Sequence, residues 1–218
     1  MALAALPRRD ERSRKHLDAA ARHTRPVALA GERVLSVPGP LGELIPGGAV
    51  QRGTVVTVDG DSGAGATGVA FRLAAAATAA GEWAAAVGLD ASLGGLAAGE
   101  AGVALDRFAV VRRVPPARWA AVVAALLDGI SIVLTEVPAF ARVGDARRLL
   151  ARARERGAVL VAMGPWPAEA ALRLRAEGST WRGLGAGAGA LAERDQRVHV
   201  DGRGAAGRER VVALARAG

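Results

Sequence analysis

Thr54-Val55-Val56-Thr57-Val58-Asp59-Gly60-Asp61-Ser62-Gly63-Ala64-Gly65-Ala66-Thr67 is the stretch from which the fold can be read. Five consecutive β-branched residues favour a strand, the glycines that follow favour a tight turn, and the alanine-rich run to about Ala80 favours a helix. Downstream the pattern repeats. An apolar run from Trp83 to Leu89 is followed by a strand-like Phe108 to Val114 and a helix opening at Pro115-Pro116. That helix places Trp119, Val122, Val123, Leu126 and Leu127 on one face and closes at Asp128-Gly129. Ile130 to Val137 and Ala158 to Met163 are apolar throughout, with a helix expected over Asp145 to Arg156 between them. Strands without a polar face, alternating with helices, predict an α/β fold with a mostly parallel sheet covered on both sides.

Outside this repeat the expectations are looser. Residues 8–23 read as a charged helix, and Pro26, Pro38, Gly39, Pro40, Pro46, Gly47 and Gly48 as an irregular stretch, so that the folded core begins near Arg52. A helix is expected over Ala168 to Glu177, a loop over Trp181 to Gly189, and short strands over Gln196 to Asp201 and Arg210 to Ala215 that extend the sheet or form an antiparallel edge. The organisation expected is a basic N-terminal helix and linker over 1–33, an α/β core over 34–178 and a basic β extension over 179–218.

Composition removes several chemistries. The 218 residues include no Cys and no Tyr, aromatics are 3% of the total, and Lys15 is the sole lysine. Disulfides, thiolate metal sites, Tyr-Lys reductase pairs and a core Schiff-base lysine are therefore excluded. About a quarter of the residues are alanine, so the core is packed with small aliphatic side chains. No uncharged apolar run reaches the ~18 residues of a membrane span, and Pro7, Arg8, Arg9, Asp10 and Glu11 follow Met1 to Leu6 too soon for a signal peptide. The net charge of +8 is uneven: residues 1–25 carry seven basic and three acidic groups, 172–218 carry nine and five, and 26–171 balance at thirteen each. Acidic partners are thus expected at the ends of the chain, with a merely solvated arginine-rich surface as the alternative.

The turn matches the phosphate-loop pattern Gly-x4-Gly-Lys-Ser/Thr at Gly60, Gly65 and Thr67, but Ala66 stands at the lysine. Backbone N–H groups and a helix N-terminus can hold an anion. The lysine's own task, neutralising charge on the β and γ phosphates, is beyond alanine. Gly63, Gly65 and Gly68 also make a Gly-x-Gly-x-x-Gly with Asp90 at dinucleotide spacing, yet Asp59 to Ser62 intervene between strand and first glycine. A tight turn with a purely structural role remains a third reading. Asp59 and Asp61 flank the turn and would repel phosphate.

These residues resemble a RecA-type core, and more closely the ImuA proteins of actinobacteria, RecA-like partners of the polymerase-related ImuB in damage-induced mutagenesis. The resemblance rests on Leu41, Leu44 and Pro46 to Gly53 ahead of the first strand, the loop Gly60 to Thr67, Ala80-Gly81, Val103 to Arg107, Ile132 to Glu136, and the tail Trp181 to Gly185. It implies a RecA-like core from about residue 34 to 165, and it allows the ATPase parts to be checked singly. The phosphate lysine falls on Ala66, the catalytic glutamate on Ser92 and the glutamine sensor on Pro165, while Glu136 and Thr67 keep oxygens suited to magnesium. The resemblance thus implies a degenerate ATPase without catalytic residues or a cofactor. It implies an adaptor in SOS-induced translesion synthesis that bridges ImuB and an error-prone replicative polymerase, in the cytoplasm at the nucleoid and away from membranes, with a possible homo-oligomer and weak direct DNA binding.

The degenerate loop is therefore expected at Gly60, Gly63, Gly65, Ala66 and Thr67, the degenerate metal-site strand end at Glu136, and partner contacts at Arg12, Lys15, Trp181, Arg182 and Leu184. An active RecA-type DNA-binding ATPase and a dinucleotide oxidoreductase remain the alternatives. Only Pro138 to Gly144 and Gly164 to Pro167 stand where RecA has its DNA loops, with Trp166 and Trp181 near that edge; Trp83 and Trp119 read as core. His16 with His23, and His199 with Asp201, lack the neighbours of a metal or catalytic set.

Overall fold

The computed structural model describes residues 33–90, 93–182, 193–202 and 205–215. The described residues belong to one compact unit. Among the described residues, ten strands form two sheets. In chain order they are β1 (Val34–Ser36), β2 (Ala49–Gln51), β3 (Val55–Gly60), β4 (Ala84–Val87), β5 (Phe108–Val111), β6 (Ile132–Glu136), β7 (Val159–Met163), β8 (Leu172–Arg182), β9 (Glu193–Gly202) and β10 (Ala205–Ala215). The helices are α1 (Gly39–Leu44), α2 (Ala66–Ala79), α3 (Gly95–Glu100), α4 (Trp119–Leu127) and α5 (Val143–Arg156).

The main sheet has eight strands in the order β10-β9-β8-β3-β7-β6-β4-β5. The six from β8 to β5 run parallel, and β9 is antiparallel to both β8 and β10. The central strands β3, β7, β6 and β4 are buried on both faces because helices cover both. Val56, Val58, Ala86, Ile132, Leu134, Val159 and Val161 pack into one layer with α2, which buries Val69, Phe71 and Leu73. Their neighbours Val55, Val87, Val133, Leu160 and Ala162 point to the other layer, under Trp119, Val123 and Leu127 of α4 and Leu149 and Ala153 of α5. Alternation of side chains across a strand thus supplies two cores from continuous apolar runs. Phe71 meets Phe108 edge-to-face at 6.2 Å and 87°, which ties α2 to the outer strand β5.

Four expectations from the sequence are corrected. The stretch 33–51 is not irregular: β1 and β2 pair antiparallel, α1 lies between them, and Leu35, Val37, Leu41, Leu44, Ile45 and Val50 bury into the α2 layer, so the folded core begins well before Arg52. Gly42 permits this, because a Cβ there would overlap the Val37 carbonyl. Residues 172–177 form the start of β8 rather than a helix, since Leu172, Leu174 and Ala176 are buried while Arg173, Arg175 and Glu177 are exposed, a period of two. The strand continues through Trp181 and Arg182, where a loop was expected. Trp83 is 47% exposed and not core, whereas Trp119 is buried and donates its indole N–H to Thr135 Oγ1 at 2.8 Å. The expected antiparallel edge is present as β9 and β10.

The turn from α2 into β4 is held by a forked ion pair, Arg52 to Glu82, with contacts of 3.0 and 2.5 Å. Burial pushes the Glu82 carboxyl upward, but the Arg52 guanidinium and the Ser131 hydroxyl outweigh it and hold the group below its usual range.

Candidate functional site

The C-terminal ends of parallel strands are where an open α/β sheet builds sites, at the point where connections leave in opposite directions. Here that point lies between β3 and β7. The chain leaves β3 through α2 towards β4 on one side, and leaves β7 across β3 towards β8 on the other. The glycine turn stands at this point, and so does Gly164, whose N–H donates to Val58 O at 3.4 Å.

The turn is glycine-rich for a backbone reason. Gly60, Gly63 and Gly65 have φ of 158°, 81° and 91°, conformations that L side chains rarely adopt. A Cβ on Gly60 would also lie 2.5 Å from Ala176 O on the adjacent strand. Ala64 N–H closes the turn on Asp61 O at 2.9 Å, and Gly65 caps α2. Ala66 is the first residue of α2 and packs against the core; Thr67 follows it, half-buried.

Two of the remaining predicted positions, Glu136 and Pro165, lie at the same edge. Glu136 ends β6 and is exposed; it registers with Met163 of β7, which registers with Val58 of β3. Glu136 is thus two strand spacings, about 10 Å, from the strand that feeds the turn. Pro165 follows Gly164 beside β3 and offers neither an N–H nor a polar side chain. Trp166 is half-buried and directs its indole N–H to Glu169 O at 3.4 Å. Ser92, Arg12, Lys15 and Leu184 lie outside the described residues. Trp181 and Arg182 sit near the end of β8, in register with Arg194 and Glu193 of β9.

Electrostatically the turn is acidic on its own residues. Asp59 and Asp61 are exposed, Arg175 stands beside Asp59 across the strand pair, and its guanidinium is 3.8 Å from Asp61. Exposed pairs of this kind contribute little. The dinucleotide geometry is lacking in two respects. β3 runs on to Gly60, leaving Gly63 three residues beyond the strand, and a Cβ on Gly68 would meet nothing within 4 Å, so no close helix-strand approach calls for glycine there. Asp90 is engaged instead by the Arg113 N–H at 3.0 Å and the Arg112 guanidinium at 3.4 Å.

One residue of the site was not foreseen. Gln196 of β9 is fully buried and donates its amide to Ala64 O at 2.7 Å, while its Oε1 has no partner among the described residues. A side chain 132 positions along the chain therefore holds the turn in place. The signal in the sequence is faint: a glutamine in an otherwise alternating strand. Among the described residues, no group of three or more His, Asp or Glu is arranged to hold a metal ion, and no helix is long and apolar enough to cross a membrane.

The fold and this edge define a class: a doubly covered, mostly parallel α/β domain with a glycine turn at its topological switch point. The chain belongs to the family described as the MT3502 N-terminal domain, whose model matches residues 43–168, more than half of the chain. It is also 37% identical over 147 residues to the uncharacterized protein Rv3395c of Mycobacterium tuberculosis (strain ATCC 25618 / H37Rv), covering 65% of this chain and 68% of that protein.

Proposed function

We propose that the chain is a non-catalytic, RecA-like adaptor of the ImuA type, joining ImuB to an error-prone polymerase through protein-protein contacts during damage-induced translesion synthesis at the nucleoid. The observation that carries the reading is Ala66. A strand, a glycine turn and a helix follow one another at the switch point, and read as a phosphate loop their first helical residue has a methyl group where phosphoryl transfer needs a cation. Pro165 beside β3 removes a second polar function. Asp59 and Asp61 add negative charge where a triphosphate would have to approach. Backbone N–H groups alone can still attract an anion at a helix start, but they cannot neutralise the charge that develops in transfer.

Support for an adaptor also comes from the charge balance, since the excess of arginine lies at the two ends of the chain and the middle is neutral. The test is direct. Full-length protein with ATP and magnesium is expected to show no phosphate release, and co-expression with a polymerase-like ImuB is expected to yield a complex that is weakened by Trp181→Ala and Arg182→Glu. Micromolar ATP affinity with turnover would overturn the adaptor reading in favour of an active ATPase; saturable NAD(P) binding would do so in favour of an oxidoreductase.

A further inference from the structure

A cleft of about 670 Å³ opens at the opposite end of β3, between the β1-β2 pair, the last turns of α5 and the segment leading into β8. It is within the about 300–1,000 Å³ of ligand sites. Its wall includes Ala49, Val50 and Gln51 in succession. Consecutive strand residues point to opposite faces, so a wall made of all three includes the backbone edge of β2. The bonded pairs of this ribbon are Arg33 with Arg52 and Val37 with Gly48, from Arg52 N–H to Arg33 O at 2.8 Å and Val37 N–H to Gly48 O at 2.9 Å, with Leu35 opposite Val50 between them. Alternation then turns the N–H and C=O of Ala49 and Gln51 outward. Thr54 Oγ1 donates to Gln51 O at 2.6 Å, leaving the Gln51 N–H and both Ala49 groups without a protein partner among the described residues.

The charged rim has a definite sign. Arg52 is occupied by Glu82, but Arg33 and Arg154 are exposed at the cleft with Glu169 as the acid on its wall. Leu150, Val34 and Leu172 supply apolar surface between them.

We propose that this cleft takes an extended acidic segment of a partner protein, which pairs its backbone with the outer edge of β2 and sets a carboxylate against Arg33 and Arg154. Edge pairing supplies main-chain hydrogen bonds, and alternate side chains of the added strand read the apolar wall and the arginines. The chain's own ends are unsuited, since residues 1–25 and 172–218 each carry four more basic than acidic groups. The cleft lies at the other end of β3 from the glycine turn, so the inference stands whether or not that turn binds nucleotide.

The test uses full-length protein and a fluorescein-labelled peptide, acetyl-Thr-Val-Glu-Val-Glu-Val-Thr-amide, followed by anisotropy at low salt. Saturable binding is expected, weakened about tenfold or more by Arg154→Glu and by Arg33→Glu, and clearly by the milder Arg154→Gln. Arg147→Glu, on α5 but away from the cleft wall, should change affinity less than about twofold, and Glu169→Gln should tighten it about threefold. A peptide with proline at the central valine should bind about tenfold more weakly, and the amide resonances of Ala49 and Gln51 should shift on titration. Absence of saturable binding, equal losses for Arg154→Glu and Arg147→Glu, or undiminished binding of the proline peptide would each overturn the proposal.

Discussion

Replacing Gln196 tests whether β9 holds the glycine turn. Its amide donates one hydrogen bond to Ala64 O at 2.7 Å, and its Oε1 is buried with no partner among the described residues. Leucine nearly keeps the shape while removing both. The lost bond costs about 0.5–1.5 kcal/mol, and removal of the buried oxygen offsets that by a similar amount. Gln196→Leu should therefore lie within about 1 kcal/mol of the parent, a shift of roughly 2–4 °C in Tm for a chain of this size. Gln196→Ala also leaves a cavity, and should cost about 2–4 kcal/mol. Both variants unpin the turn, so amide exchange at Gly63 to Thr67 should quicken about fivefold or more while exchange in β6 and β7 of the leucine variant stays close to that of the parent. Guanidinium unfolding and native-state hydrogen exchange on the two variants are the assays. A leucine variant as damaged as the alanine one, or a turn whose exchange does not change, would refute the reasoning.

Ala66→Lys should restore a grip on phosphate, tightening ATP or pyrophosphate binding about tenfold, equivalent to about 1.4 kcal/mol, while phosphate release stays absent; calorimetry and a release assay check the two halves. Trp119→Phe and Thr135→Val should each cost about 1–2 kcal/mol, since each strands one end of a buried 2.8 Å hydrogen bond. The double variant should cost less than the sum, and a double-mutant cycle showing additivity would contradict the bond. Glu82 is held below its usual value, so its contribution to stability is complete above the ordinary glutamate range and is lost as pH falls through the lowered value. Arg52→Ala should raise the Glu82 pKa, read by carboxyl NMR, and flatten that part of the acid-unfolding curve.

The alternating core was legible because its strands are buried on both sides. Ile132 to Leu134 and Val159 to Met163 have no polar position to confuse the reading, and Pro116 and Gly129 bracket α4. Residues 168–177 misled because alanine, glutamate and arginine favour helix, and Leu172-Arg173-Leu174-Arg175 alternates too briefly to outweigh them. Pairing with β3 and β9 overrode that propensity. Trp83 misled because it adjoins an apolar strand yet precedes it by one residue and turns outward.

For the candidate site, the residue types at Ala66 and Pro165 were legible in the sequence, since they are local facts about side chains. The neighbours of the turn were not legible. Gln196 reaches Ala64, and Arg175 approaches Asp61, only because β8 and β9 are laid beside β3 after the chain crosses over it. The β2 edge follows from the same cause: Ala49 and Gln51 present backbone groups without a partner among the described residues to a cleft whose other wall is assembled from α5 and the approach to β8. Residue types and their periodicity dictate local conformation and the inventory of charges. Which groups meet is a matter of strand order and register, set by burial summed over the whole sheet, and no short stretch of the chain contains that sum.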